Sequence, residues 1–314
     1  MAAALLLFWV YGKTRVDRPR ILTPMPDRIA KPPAMPADVS LPFFAYGIFK
    51  PGQLGFLVVR DAVDRREEGS IRGELRERDG LAILDAEGSD SVPGYLLTFA
   101  GHASTGAYEH IATIEPEHQY RWAIESVATL GGSRRANVLI ARSPRRGSTA
   151  LDREWDGRQD PLFTTALMVV EDVVESWRGK AQHPEDMEPF FHLQMAYLLL
   201  WSALERYTAF RYGLGGEVWQ RVRRIAEEPA FHEGLQKHVR QPEELFSAQS
   251  PKDKVRLDIA DPEASVDYLY QMRSNIAHRG KGVGRDVDRV LRALDVLVPT
   301  FRLMLESAFK EARA

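Results

Sequence analysis

Hydrophobic and polar positions follow two different rhythms along this chain. From Pro42 to about Ala141 the apolar runs are short and broken by glycine. Phe43–Tyr46, Phe56–Val59, Tyr95–Phe99, Ala123–Val127 and Ala136–Ile140 read as strands, because runs of this length bounded by turn residues suit half-buried or buried extended chain. Pro51-Gly52, Asp79-Gly80, Pro93-Gly94 and Gly131-Gly132 stand between them as turn signals. After Pro161 the spacing changes to three and four residues. Phe163–Trp177, Glu188–Tyr212, Glu217–His238, Pro262–His278 and Asp286–Ala312 read as helices. The last carries an apolar stripe through Val287, Val290, Leu291, Leu294, Val298, Phe301, Leu305 and Ala308, with Pro299 expected to kink it. Met195 to Trp201 is apolar nearly all round, which puts that helix at the centre of a bundle.

The pattern predicts an α+β protein: an N-terminal small β-barrel, then an all-α helical bundle. The segments are 1–41, an apolar N-terminus and Pro-rich linker; 42–147, the barrel; 148–186, a connector with a helix; and 187–314, the helical domain. Arg142 to Asp160 is polar and glycine-bearing and marks the boundary. Pro24, Pro26, Pro32, Pro33, Pro36 and Pro42 make residues 21–42 an extended linker. Ala2–Val10 is apolar but about half the roughly 20 residues a membrane span needs, and its basic residues follow it. It reads as a buried strand, or as residues upstream of the native start.

Composition narrows the chemistry. A chain of 314 residues has room for two cores, and 44% apolar with 27% charged residues is ordinary for a globular protein. The net charge of −2 rules out a general polyanion binder and leaves only a local patch for nucleic acid. The absence of cysteine excludes disulfides, thiolate metal sites and cysteine nucleophiles, and fits a cytoplasmic protein with no membrane partner. His102, His110 and His118 stand in unlike contexts and read as surface positions, not as a zinc site.

Two constellations carry chemistry. The first begins at Tyr46-Gly47-Ile48-Phe49-Lys50-Pro51-Gly52, an apolar strand feeding a tight loop whose backbone N–H groups suit an anion. Gly69 to Leu75, Asp79 to Leu84, Val92 to Leu96, and Ile111 to Glu115 leading to Tyr120 follow in order. This succession over residues 43–130 resembles the gamma-glutamylcyclotransferase-like family, which includes the AIG2-like proteins. The resemblance implies a barrel that takes a small gamma-glutamyl-type ligand. In that family the substrate's amine attacks its own gamma-amide carbonyl, and 5-oxoproline and an amine leave. It implies Glu115 as the base, and Tyr46, Gly47, Ile48 and Phe49 as the substrate-binding loop. Glu117 is the competing carboxylate. A base of this kind works best in a dry pocket that raises its pKa.

The second constellation is Arg273-Ser274-Asn275-Ile276-Ala277-His278 at a helix end, followed by Arg279 and Gly280. Arg-x4-His within an all-helical domain resembles the HEPN superfamily, nearest to its ApeA-like branch, over residues 187–312. The resemblance implies a metal-independent ribonuclease of toxin–antitoxin or anti-phage type. Arg273 would hold the phosphate and His278 move protons, with Glu205 as an acidic partner. On an ideal helix Arg273 and His278 lie about 140° apart, and the family's answer is a homodimer through the helical domain. Arg279, Lys281 and Arg285 supply positive charge for RNA. The combined expectation is a ribonuclease whose barrel senses or processes a small ligand. The alternative is a gamma-glutamylamine cyclotransferase with a non-catalytic dimerisation domain. Neither implies a metal or cofactor.

Overall fold

A computed structural model describes residues 34–314, except 116, 153, 158–159, 179–186, 214–216, 247–253 and 280–284, and gives only the backbone of 187, 278, 279, 285 and 286. The fold is α+β, a closed barrel followed by helices.

The barrel is built from β1 (Phe43–Ala45), β2 (Val63–Arg78), β3 (Leu81–Phe99), β4 (Tyr120–Thr129) and β5 (Gly132–Ala141). Its order is β3-β1-β5-β4-β2, and β2 pairs with β3 to close the ring, which removes the exposed strand edges of an open sheet. β2 and β3 form one long hairpin. Asp79 and Gly80 make its turn, both in the left-handed region at φ 53° and 76°, as a tight two-residue connection requires. Short β6 (Thr149–Ala150) extends the sheet along β2. Helix α1 (Ser104–Ile114) joins β3 to β4 and drives Tyr108 and Ile111 into the core, both fully buried. Tyr108 meets Phe43, Phe99 and Trp122 edge-on, and its hydroxyl donates to the carbonyl of Leu41 at 2.7 Å.

Helices α2 (Thr165–Trp177), α3 (Met187–Tyr212), α4 (Val218–Arg223), α5 (Pro229–His238), α6 (Pro262–Arg279) and α7 (Arg285–Arg313) form the second half. α3 is its centre: Leu193, Tyr197, Ala203 and Tyr207 are wholly buried, and the helix packs on α2, α4, α6 and α7. Pro299 sits inside α7, so the carbonyl of Asp295 loses its helical N–H donor. Among the described residues no helix is long and apolar enough to cross a membrane.

Two expected elements differ and one element is new. Phe56–Val59 is not a strand; Leu54–Val58 is a 3-10 helix, because the apolar residues there pack onto α3 and α7 and have no strand to pair with. Glu217–His238 is not one helix. It breaks at Glu228, whose extended backbone precedes Pro229, the conformation a following proline enforces. Between α5 and α6 lies an unforeseen hairpin, β7 (Glu243–Phe246) with β8 (Lys254–Leu257).

The two halves share one continuous core. The 3-10 helix after the Tyr46 loop is pressed against α3 and α7, and the N–H of Gly52 donates to the carbonyl of Ala312 at 2.7 Å. Arg60 and Arg211 both reach Glu311, at 3.0 and 2.7 Å. The end of α7 is therefore tied to the segment that follows the loop.

Candidate active site in the barrel

Glu115 ends α1. Its backbone turns to an extended conformation at φ −97° while its N–H still caps the carbonyl of Ile111 at 3.0 Å. That turn aims the side chain into a cavity of about 20 Å³ whose wall includes Tyr46, Gly47, Ile48, Phe49, Ala82 and Tyr120. The four loop residues and the glutamate that the sequence set apart therefore line one volume. Glu117, the competing carboxylate, is exposed and outside it.

The local folding explains the arrangement. Tyr46 follows β1 directly and is buried, and its hydroxyl donates to the carbonyl of Leu139 at 2.7 Å. The chain then turns, with the N–H of Lys50 donating to the carbonyl of Gly47 at 3.0 Å. Lys50 is itself buried. It pairs with Glu154 and donates to the carbonyl of Trp155 at 2.9 Å, which locks the loop to the connector. A buried ammonium with these partners has its charge compensated.

The electrostatics of the cavity favour proton transfer. Glu115 is half-buried as a residue, but protein surrounds its carboxyl end, and that burial pushes its pKa up to about 7. The Arg206 guanidinium and the hydrogen bond from Tyr120 pull the other way. Tyr46 and Tyr120 are both pushed far above the ordinary phenol value, chiefly by burial and then by the Glu115 charge. They remain neutral donors wherever Glu115 titrates. A carboxyl with a pKa near neutrality can both accept and return a proton at physiological pH.

Arg206 and Asp160 are not among the site residues expected from the sequence. Arg206 projects from α3 and its Nη2 lies 2.6 Å from Asp160 Oδ2, with Asp160 almost fully buried in the connector. The guanidinium also lies over the ring of Phe210, 5.3 Å from its centroid. No local motif marks this pair, because the two residues meet only when the connector folds onto α3.

The second constellation lies on α6. Arg273 Nη2 stands 3.6 Å from Glu205 Oε1 on α3, and both side chains are about one-third exposed, at 30% and 31%. Asn275 donates to the carbonyl of Phe246, at 3.2 Å, and accepts from Gln271 at 3.1 Å. His278 and Arg279 close α6 and Arg285 opens α7; their side chains, and all of Lys281, lie outside the described residues. Among the described residues no group of three or more histidine, aspartate or glutamate side chains is disposed to hold a metal.

Comparison of the chain with protein-family models, with curated proteins and with solved structures gives no match.

Proposed function

We propose that the barrel cavity is an acid–base site of the gamma-glutamylcyclotransferase type, with Glu115 as its proton-transfer group. One observation carries the reading: the Glu115 carboxyl, held near neutrality by burial, lines the same cavity as the Tyr46–Phe49 loop. In the reaction, the substrate's α-ammonium gives a proton to the Glu115 carboxylate. The freed amine attacks the gamma-amide carbon and closes a five-membered ring. Glu115 then returns the proton to the leaving nitrogen as the old amide bond breaks, and the second proton of the ring nitrogen passes through Glu115 to the departing amine, giving 5-oxoproline and an ammonium ion. Tyr120, a neutral donor on Glu115, orients the carboxyl, and the loop's backbone N–H groups suit the substrate carboxylate. The cavity has about the volume of one water molecule, so a gamma-glutamyl ligand enters by displacing its walls. The test is release of 5-oxoproline from a panel of gamma-glutamyl amines by the wild-type protein and by Glu115→Gln. Release by wild type alone supports the assignment. Equal release by both proteins overturns it.

The pairing of Glu205 with Arg273 one turn before His278 favours a second activity in the helical half. It is a metal-independent ribonuclease of the HEPN type, acting as a homodimer in a toxin or anti-phage setting. Arg273 holds a phosphate, Glu205 orients Arg273, and His278 moves the 2′-hydroxyl proton. Arg279, Lys281 and Arg285 contribute phosphate contacts. In this reading the ligand of the barrel regulates the nuclease. Cleavage of RNA in the presence of EDTA, lost in His278→Ala, tests it.

A further inference from the structure

A second small volume, about 10 Å³, lies beside the first. Its wall includes Gln53 and Leu54 after the loop, Trp155 and Asp160 of the connector, Phe210 of α3 and Phe309 of α7. It is therefore built largely by the connector and the helical half. Ile48 is the one residue common to the linings of both volumes. It is 6% exposed and is clamped from behind. A Cβ placed on Gly55 would lie 2.8 Å from the Ile48 carbonyl oxygen and 3.2 Å from its Cγ1. Glycine at that position lets the 3-10 helix press the loop, and Ile48 with it, toward the cavities.

We propose that Ile48 is the specificity-determining residue of the barrel site: it divides one ligand volume into a glutamyl cell at Glu115 and an amine cell roofed by Phe210 and Phe309. This rests on the acid–base reading of Glu115. The glutamyl cell holds the two groups that form the ring. The amine cell receives the substituent on the departing nitrogen. Its walls carry the rings of Trp155, Phe163, Phe210 and Phe309 beside two polar side chains that are already engaged, Gln53 with the N–H of Gly157 and Asp160 with Arg206, so the substituent that fits is apolar. With the isoleucine side chain in place, only the smallest amines fit. The substrate class is a gamma-glutamyl amide of a short, apolar amine, and the helical half contributes to its recognition.

The experiment compares wild type with Ile48→Ala and the milder Ile48→Val on two probes, gamma-glutamyl-methylamide and gamma-glutamyl-propylamide. The ratio of kcat/KM, propyl over methyl, should rise at least tenfold in Ile48→Ala and by a smaller factor in Ile48→Val. Adding Phe210→Trp, which fills the amine cell from α3, should reverse the gain. An unchanged ratio in both Ile48 variants overturns the proposal. Crystals of Ile48→Ala under xenon read the same point without chemistry. Density bridging the two cells supports the division by Ile48, and two separate cells overturn it. If no protein releases 5-oxoproline while xenon bridges the cells, the acid–base reading fails and the shared volume stands.

Discussion

Glu205 and Arg206 are consecutive residues of α3 and bind opposite neighbours. Glu205 Oε1 lies 3.6 Å from Arg273 on α6, whereas Arg206 Nη2 lies 2.6 Å from Asp160 in the connector. Successive residues of a helix point about 100° apart, so one position serves two faces. The Arg206 charge also acts on Glu115 across the interface between the halves. One turn of the central helix thus touches both sites put forward here.

The titration of Glu115 gives the first prediction. Proton abstraction needs the carboxylate, so kcat/KM for 5-oxoproline release should rise with pH through about 7. The same group affects stability. Its folded pKa is raised from an ordinary 4.5, so the folded state binds the proton more tightly than the unfolded chain. That contribution is fully present below about pH 4.5 and is lost as pH rises through about 7. Glu115→Gln should remove both effects. The difference in melting temperature between Glu115→Gln and wild type should therefore grow in favour of the variant from pH 4.5 to 8. A constant difference would contradict the raised pKa.

Arg206→Gln should move Glu115 still higher, because the guanidinium is the larger of the two influences that oppose burial, the other being the hydrogen bond from Tyr120. Carbon-13 NMR of the Glu115 carboxyl would show its midpoint displaced to higher pH, and the acid limb of the rate profile should follow. The variant also leaves Asp160 buried without its counter-charge. Breaking such a pair costs on the order of 3 kcal/mol, measurable by urea denaturation. Stability lost with no change in the Glu115 midpoint would assign Arg206 to folding alone.

For the helical half, His278→Ala should abolish RNA cleavage while the circular dichroism spectrum stays native. Arg273→Ala should do the same through lost phosphate contact, a charge-assisted hydrogen bond being worth about 1.5–3 kcal/mol. Cleavage should persist in EDTA and leave 2′,3′-cyclic phosphate ends, since the attacking group is the neighbouring 2′-hydroxyl. Metal-dependent cutting, or full activity in His278→Ala, would falsify the ribonuclease reading.

Packing between α5 and α7 gives a prediction independent of function. A Cβ on Gly234 would fall 2.4 Å from both Oγ1 and Cγ2 of fully buried Thr300. The threonine cannot turn away freely, because its hydroxyl donates to the Val296 carbonyl at 2.7 Å. Gly234→Ala should therefore destabilise the protein by about 1–3 kcal/mol despite alanine's better helix propensity. Adding Thr300→Ala should recover part of the loss, so the two changes should be strongly non-additive in urea denaturation.

Local pattern carried the elements whose burial has one simple period. The stripe on α7 and the Asp79-Gly80 turn follow from side-chain spacing and backbone sterics, and these are properties of neighbouring residues, whereas Met195 in the all-round apolar run of α3 is left exposed. Glu115, which lines the cavity, was marked only by what the resemblance over residues 43–130 implies, with Glu117 left as the competing carboxylate. Where burial comes from distant chain, the pattern misleads. Leu54–Val58 is apolar because α3 and α7 cover it, and a run so short has no period to separate strand from helix. The strands of the β7–β8 hairpin are four residues each and bury only Leu245 and Leu257, an alternation too brief to announce a strand. The strand order of the barrel, the pairing of Arg206 with Asp160, and the meeting of Ile48 with Phe210 and Phe309 were decided by tertiary structure alone. Each depends on where two remote segments come to rest. The pKa of Glu115 belongs with them: the glutamate is in the sequence, but its proton affinity is set by the burial and the charge that the folded chain gathers around it.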